Sequence, residues 1–123
     1  MRRMISGVAV MTMFLGGLLL VPRTLAAADE QSSQVSIVEP AFRPPQEWNY
    51  TPDDLTAVVG ATITWTNTGA VAHTVTGDDG ASFDSGSLDP RATFGFTPDT
   101  PGSFPYHCTF HPWMTGNLTI VAQ

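Results

Sequence analysis

The chain contains no lysine, and its only strong cations are five arginines set against 11 acidic residues. Arg2, Arg3 and Arg23 precede the first acidic residue, Asp29, so from there onward Arg43 and Arg91 alone face every carboxylate. Such a balance argues against nucleic acid and anionic lipid as partners, because phosphate binding needs basic patches. The pairs Asp53-Asp54 and Asp78-Asp79 would suit a cationic partner, although charge of this kind also keeps a surface soluble. Cysteine is almost as scarce. Cys108 stands alone, which excludes an internal disulfide. Methionine occurs at positions 1, 4, 11 and 13 and then only at Met114. No stretch beyond Ala28 sustains a helical period, no glycine-rich phosphate loop follows a strand, and no segment repeats.

The beginning of the chain differs from the rest. Arg2 and Arg3 lead into an apolar run from Met4 to Val21, which Pro22 ends. Thr24-Leu25-Ala26-Ala27-Ala28 follows, supplying the small residues that signal peptidase accepts. Residues 1–28 therefore read as an export signal, and 29–123 as one domain in a periplasmic or otherwise exported protein. Retention of the run as a membrane anchor is the alternative, since it is nearly long enough to span a bilayer. In an oxidising compartment a lone thiol must be buried, joined to another chain or occupied by a metal.

Beyond the leader the residues alternate as strands do. Gln34–Val38, Leu55–Val59, Ala61–Asn67, Ala72–Thr76, Ala92–Thr97, Ser103–Cys108 and Gly116–Ala122 are the expected strands. In the third, Ile63 and Trp65 face one way and the threonines the other; in the last, Leu118, Ile120 and Ala122 form the inward series. The stretch Pro40–Pro52, rich in proline, is expected as loop or irregular edge. Short strands separated by turn signals predict an all-β sandwich.

Chemistry gathers around the lone cysteine, in Tyr106-His107-Cys108-Thr109-Phe110-His111-Pro112-Trp113-Met114. Cysteine, histidine and methionine recur every third residue, a spacing that a strand cannot aim at one point but a tight loop can. Thiolate, imidazole and thioether are a soft-to-borderline donor set that favours copper over calcium or magnesium. A second imidazole would complete the two-histidine, one-thiolate plane with a weak axial methionine that characterises blue-copper centres. His107 adjoins Cys108 in a strand and should leave from the opposite face. His73, in Val71-Ala72-His73-Thr74-Val75, is the expected second imidazole, giving copper the set His73, Cys108, His111 and Met114.

With these residues in place the chain resembles a cupredoxin, and its ligand loop is similar to that of amicyanins, Cys-Thr-Pro-His-Pro-Phe-Met. Plastocyanin-type loops insert further residues before the methionine. The resemblance also takes in Gly60 with Trp65-Thr66-Asn67, the His73-Thr74-Val75 strand and Gly116 at the last strand. It implies a Greek-key sandwich with copper under the loops at one end, and a His111 edge reaching the surface within an apolar patch. Phe110, Pro112 and Trp113 are the local members of such a patch. Three departures stand out. Thr74 replaces an asparagine that ties the ligand loops together in many cupredoxins, and is expected to bond Thr109 instead. Trp113 stands for phenylalanine. Phe110 stands for proline, which restores an amide hydrogen expected to point at the thiolate.

Three strong ligands and a weak axial one leave no position for substrate, which argues against an enzyme. Transfer of single electrons between redox proteins, with docking near His111 and Trp113 on a monomer, is the leading expectation. A copper carrier or buffer is the alternative, weakened because Met114 is the only methionine outside the leader. A cysteine–histidine hydrolase lacks the third, orienting group.

Overall fold

The computed structural model describes residues 33–123, and residues 1–28, expected as an export signal, lie outside the described residues. Eight strands form two four-stranded sheets: β1 (Ser33–Val38), β2 (Asn49–Thr51), β3 (Asp54–Val58), β4 (Ile63–Asn67), β5 (Thr76–Gly77), β6 (Thr93–Phe96), β7 (Gly102–His107) and β8 (Thr115–Val121). One sheet has the order β2-β1-β4-β6 and the other β3-β8-β7-β5. The chain passes from sheet to sheet between β2 and β7, the Greek-key crossing expected of such a sandwich. Among the described residues no helix is long and apolar enough to cross a membrane.

Alternation decides which side chains the sheets enclose. Val35 and Ile37 in β1, Ile63 and Trp65 in β4, and Leu118 and Ile120 in β8 are all buried, while the threonines of β4 face outward. Burying such side chains stabilises a fold by about 1.5–3 kcal/mol each. Trp65, fully buried, meets Tyr106 edge to face and lies beside Phe83 and Phe94, so aromatic rings join the two sheets. At the β3–β4 turn Gly60 adopts φ +87°, a region that side-chained residues rarely enter.

Three expectations change. The segment Ala72–Thr76 is not a continuous strand: pairing with β7 is confined to Thr76 and Gly77, and His73 makes an isolated bridge to Leu88. Its backbone donors go elsewhere, from Thr74 to the Cys108 sulfur (3.3 Å) and from Val75 to Ser85 Oγ (2.7 Å). Within Pro40–Pro52, the residues Asn49–Thr51 form β2, an edge strand antiparallel to β1, after a single 3-10 turn at Pro45–Glu47. Finally, Ala122 lies beyond the end of β8 and is exposed, so the inward series stops at Ile120.

Candidate metal centre

The β7–β8 connection closes on itself. The Met114 amide donates to the His111 carbonyl (2.9 Å), and the Cys108 amide donates to the Met114 carbonyl (3.1 Å). This ring of backbone bonds turns Cys108, His111 and Met114 toward one point, which a spacing of three cannot do in an extended strand. Cys108 and Met114 are fully buried and His111 is half-buried.

His73 arrives from the β4–β5 connection. Asn67, buried at the end of β4, shapes that approach by donating to the Val71 and Leu88 carbonyls (2.8 and 2.9 Å) and accepting from the Gly69 amide (2.9 Å). His73 Nδ1 then lies 3.8 Å from Cys108 Sγ and 3.2 Å from His111 Nδ1, with His111 Nδ1 3.6 Å from the sulfur. The three donor atoms fall within 4.8 Å of one another, a triangle suited to a single small ion. His107 points away from it. Its Nδ1 meets Asp78 Oδ1 at 2.5 Å on the outer face, as its place next to Cys108 in sequence requires.

Glu39 is the residue that sequence reasoning missed. Its Oε1 lies 2.7 Å from His73 Nε2, and its two oxygens accept the amides of Ala70 (2.8 Å) and Val71 (3.1 Å). A Cβ at Gly69 would collide with this carboxylate, so glycine is what allows the approach. Burial pushes the Glu39 carboxyl up, but these hydrogen bonds outweigh it and leave the pKa below its ordinary value. An ionised carboxylate can only accept, so Nε2 keeps its proton for Glu39 and Nδ1 is the nitrogen left to face the triangle. No local pattern marked Glu39, one acid among 11 and distant from His73 in sequence.

The thiol is prepared in a similar way. Burial raises the Cys108 pKa, but hydrogen bonds from His73, the Thr74 amide and His111 bring it down to about 6. The amides facing the sulfur are those of Thr74 and His111; that of Phe110, expected there, is not among them. The Thr109 amide instead donates to Thr74 Oγ1 (2.8 Å), and the loop then turns the amide one residue beyond Phe110 toward the sulfur. Thr74 does link the two ligand loops, its hydroxyl also meeting that of Thr109 at 3.2 Å. Burial lowers the His73 pKa, but the Cys108 sulfur and the Glu39 carboxylate, accepting from its ring, pull it above its usual value.

Residues 10–120 match the family model of the cupredoxin-like domain. The chain belongs to the cupredoxin family. Among curated proteins this cupredoxin is 28% identical to amicyanin-alpha of Methylorubrum extorquens over 93 residues, spanning 72% of the chain and 71% of that protein. It is 31% identical to amicyanin of Paracoccus denitrificans over 75 residues, 58% of the chain and 57% of the relative. Among solved structures, a purple cupredoxin from Nitrosopumilus maritimus superposes with a TM-score of 0.64 at 29% identity, covering 73% of this chain and all of that one. The oxidised form of an amicyanin variant superposes with a TM-score of 0.63 at 26% identity, covering 73% and 82%. Soft thiolate, two imidazoles and a thioether suit copper, and His73, Cys108, His111 and Met114 are positioned for a copper site in this cupredoxin.

Proposed function

We propose that this cupredoxin is an exported carrier of single electrons, with copper held by His73, Cys108, His111 and Met114. The observation that carries the reading is the convergence of two Nδ1 atoms and one thiolate-prone sulfur within 4.8 Å, in a fold whose relatives are cupredoxins. Copper bound there would supply a one-electron couple between Cu(I) and Cu(II). The chain does the remainder. Glu39 fixes the His73 tautomer, the Thr74 and His111 amides stabilise the sulfur's negative charge, and burial keeps water from Cys108 and Met114. Four protein donors leave no position for a substrate, so the protein is not an enzyme.

The electron would enter and leave near His111. Phe110 and Trp113 are exposed on the same loop, 52% and 44% respectively, and with Pro112 they form an apolar surface for a redox partner. Residues 1–28 would direct export and leave 29–123 as the working, monomeric domain; support comes from the basic start, apolar run and alanine exit.

The decisive experiment is the visible and EPR spectrum of the copper(II)-loaded protein. An intense blue thiolate-to-copper band is expected, lost in Cys108→Ser and strongly altered in His73→Ala. His107→Ala should leave it almost unchanged. Bleaching by His107→Ala with survival in His73→Ala would overturn the assignment.

A further inference from the structure

The segment between β1 and β2 has no role in strand pairing until Asn49, yet it touches both loops that bear the site. The Pro45 carbonyl accepts a hydrogen bond from Trp113 Nε1 at 2.7 Å, linking residues 68 positions apart. Trp48, partly buried, meets His111 edge to face at 5.2 Å between ring centroids and His73 at 5.8 Å. Trp113 meets His111 at 5.4 Å. His111 is thus in contact with two indoles, one belonging to the segment and the other pinned by it. The segment is itself anchored: Tyr50, buried in β2, donates from its hydroxyl to the Thr74 carbonyl at 2.5 Å. Asn49 Oδ1 accepts the Thr115 amide at 3.2 Å, just past the ligand loop.

The two histidines are therefore held by different means. His73 is buried and tied to Glu39 by a charge-assisted hydrogen bond. No carboxylate reaches His111 in the hydrogen-bond network of the described residues; aromatic edges surround it. A half-exposed imidazole on a short loop has several rotamers open to it, and indole contacts of this kind remove most of them.

We propose that the segment Pro44–Trp48 is a latch that locks the His111 ring in its inward orientation, with Trp48 as the positioning residue. The inference rests on His111 being a copper ligand. A ring that cannot swing out keeps one arrangement of donors in both oxidation states and slows loss of the metal, as suits an electron carrier rather than a copper donor.

The test compares wild type, Trp48→Ala, Trp48→Phe and Trp113→Phe as full-length domains. In the metal-free protein, imidazole nitrogen and carbon NMR reports the ring motion of each histidine. Trp48→Ala should release His111 into several averaging orientations and leave His73 fixed, while Trp48→Phe should restore a single orientation. In the Cu(I) protein, transfer of metal to a competing Cu(I) chelator should be about tenfold faster in Trp48→Ala, given the size of one lost aromatic contact. Trp113→Phe keeps an aromatic ring on the loop, smaller beside His111, and deletes the bond to Pro45. It should accelerate transfer about threefold without altering the fold. Loosening of both histidines together would show general destabilisation and overturn the latch. So would an unchanged His111, or equal chelator rates in all four proteins. Absence of a thiolate-to-copper band in wild type would instead sink the copper reading, and the metal-free NMR would still decide the latch.

Discussion

Cys108 shows how a few neighbours change the chemistry of one atom. A free thiol titrates near 9.0, and burial alone would move it higher. Hydrogen bonds from His73, the Thr74 amide and His111 reverse that direction and bring the value to about 6. The folded, metal-free protein should therefore already hold a thiolate at neutral pH, the form that a metal binds without first expelling a proton. The sign follows from linkage. A folded-state pKa below the unfolded one contributes stability in full above about 9, and that contribution is lost as pH falls through about 6. Ultraviolet thiolate absorbance of the metal-free protein should give a midpoint near 6. A midpoint at or above 9.0 would mean that the donors around the sulfur do not act as described. Glu39 works at the same scale, since its charge is held by two loop amides and in turn sets which nitrogen of His73 faces the site.

At the scale of elements, β7 and β8 carry the ligand loop between them, and their register determines where it sits. Tyr106 pairs with Gly116 across the two strands, two residues before Cys108 and two after Met114. The Tyr106 ring is buried over Gly116 so closely that a Cβ at 116 would overlap it. Gly116→Ala must displace either the ring or the strand, and overpacking of this kind costs about 1–3 kcal/mol. Urea denaturation of the metal-free protein should show a lower midpoint with an unchanged slope. If Gly116→Ala unfolds at the wild-type midpoint, the ring moves freely and the pairing is not what holds the loop. The β4–β5 connection works differently. Its backbone donors reach a sulfur and a hydroxyl rather than a partner strand, so β5 shrinks to two residues and His73 sits in a bridge to Leu88.

At the scale of the whole molecule, two sheets packed over one aromatic-rich core place all the expected donors at one end. Copper binding to that end should stabilise the fold, because metal bound by the native state alone shifts the equilibrium by mass action. With free copper at about a thousand times the dissociation constant the gain is about 4 kcal/mol, which for a domain of this size raises the thermal midpoint by on the order of ten degrees or more. Calorimetry should show this rise in wild type and little of it in Cys108→Ser. Equal rises in both would place the copper elsewhere. Most of the fold and the donor set were legible in the sequence because their signals are local. Strand alternation repeats every two residues, as in Ile63 and Trp65, and Cys108, His111 and Met114 declare themselves by spacing within one loop. His73 was legible because alternation turned His107 to the other face, where Asp78 holds it. The sequence alone did not reveal Glu39, the short β5, the amides at the sulfur or the Trp48 contact. Each depends on groups brought together from distant parts of the chain or on the path of one irregular loop. Such meetings leave no periodicity in the residues between them, so only the packing of the sandwich decides which carboxylate reaches His73 and which indole reaches His111.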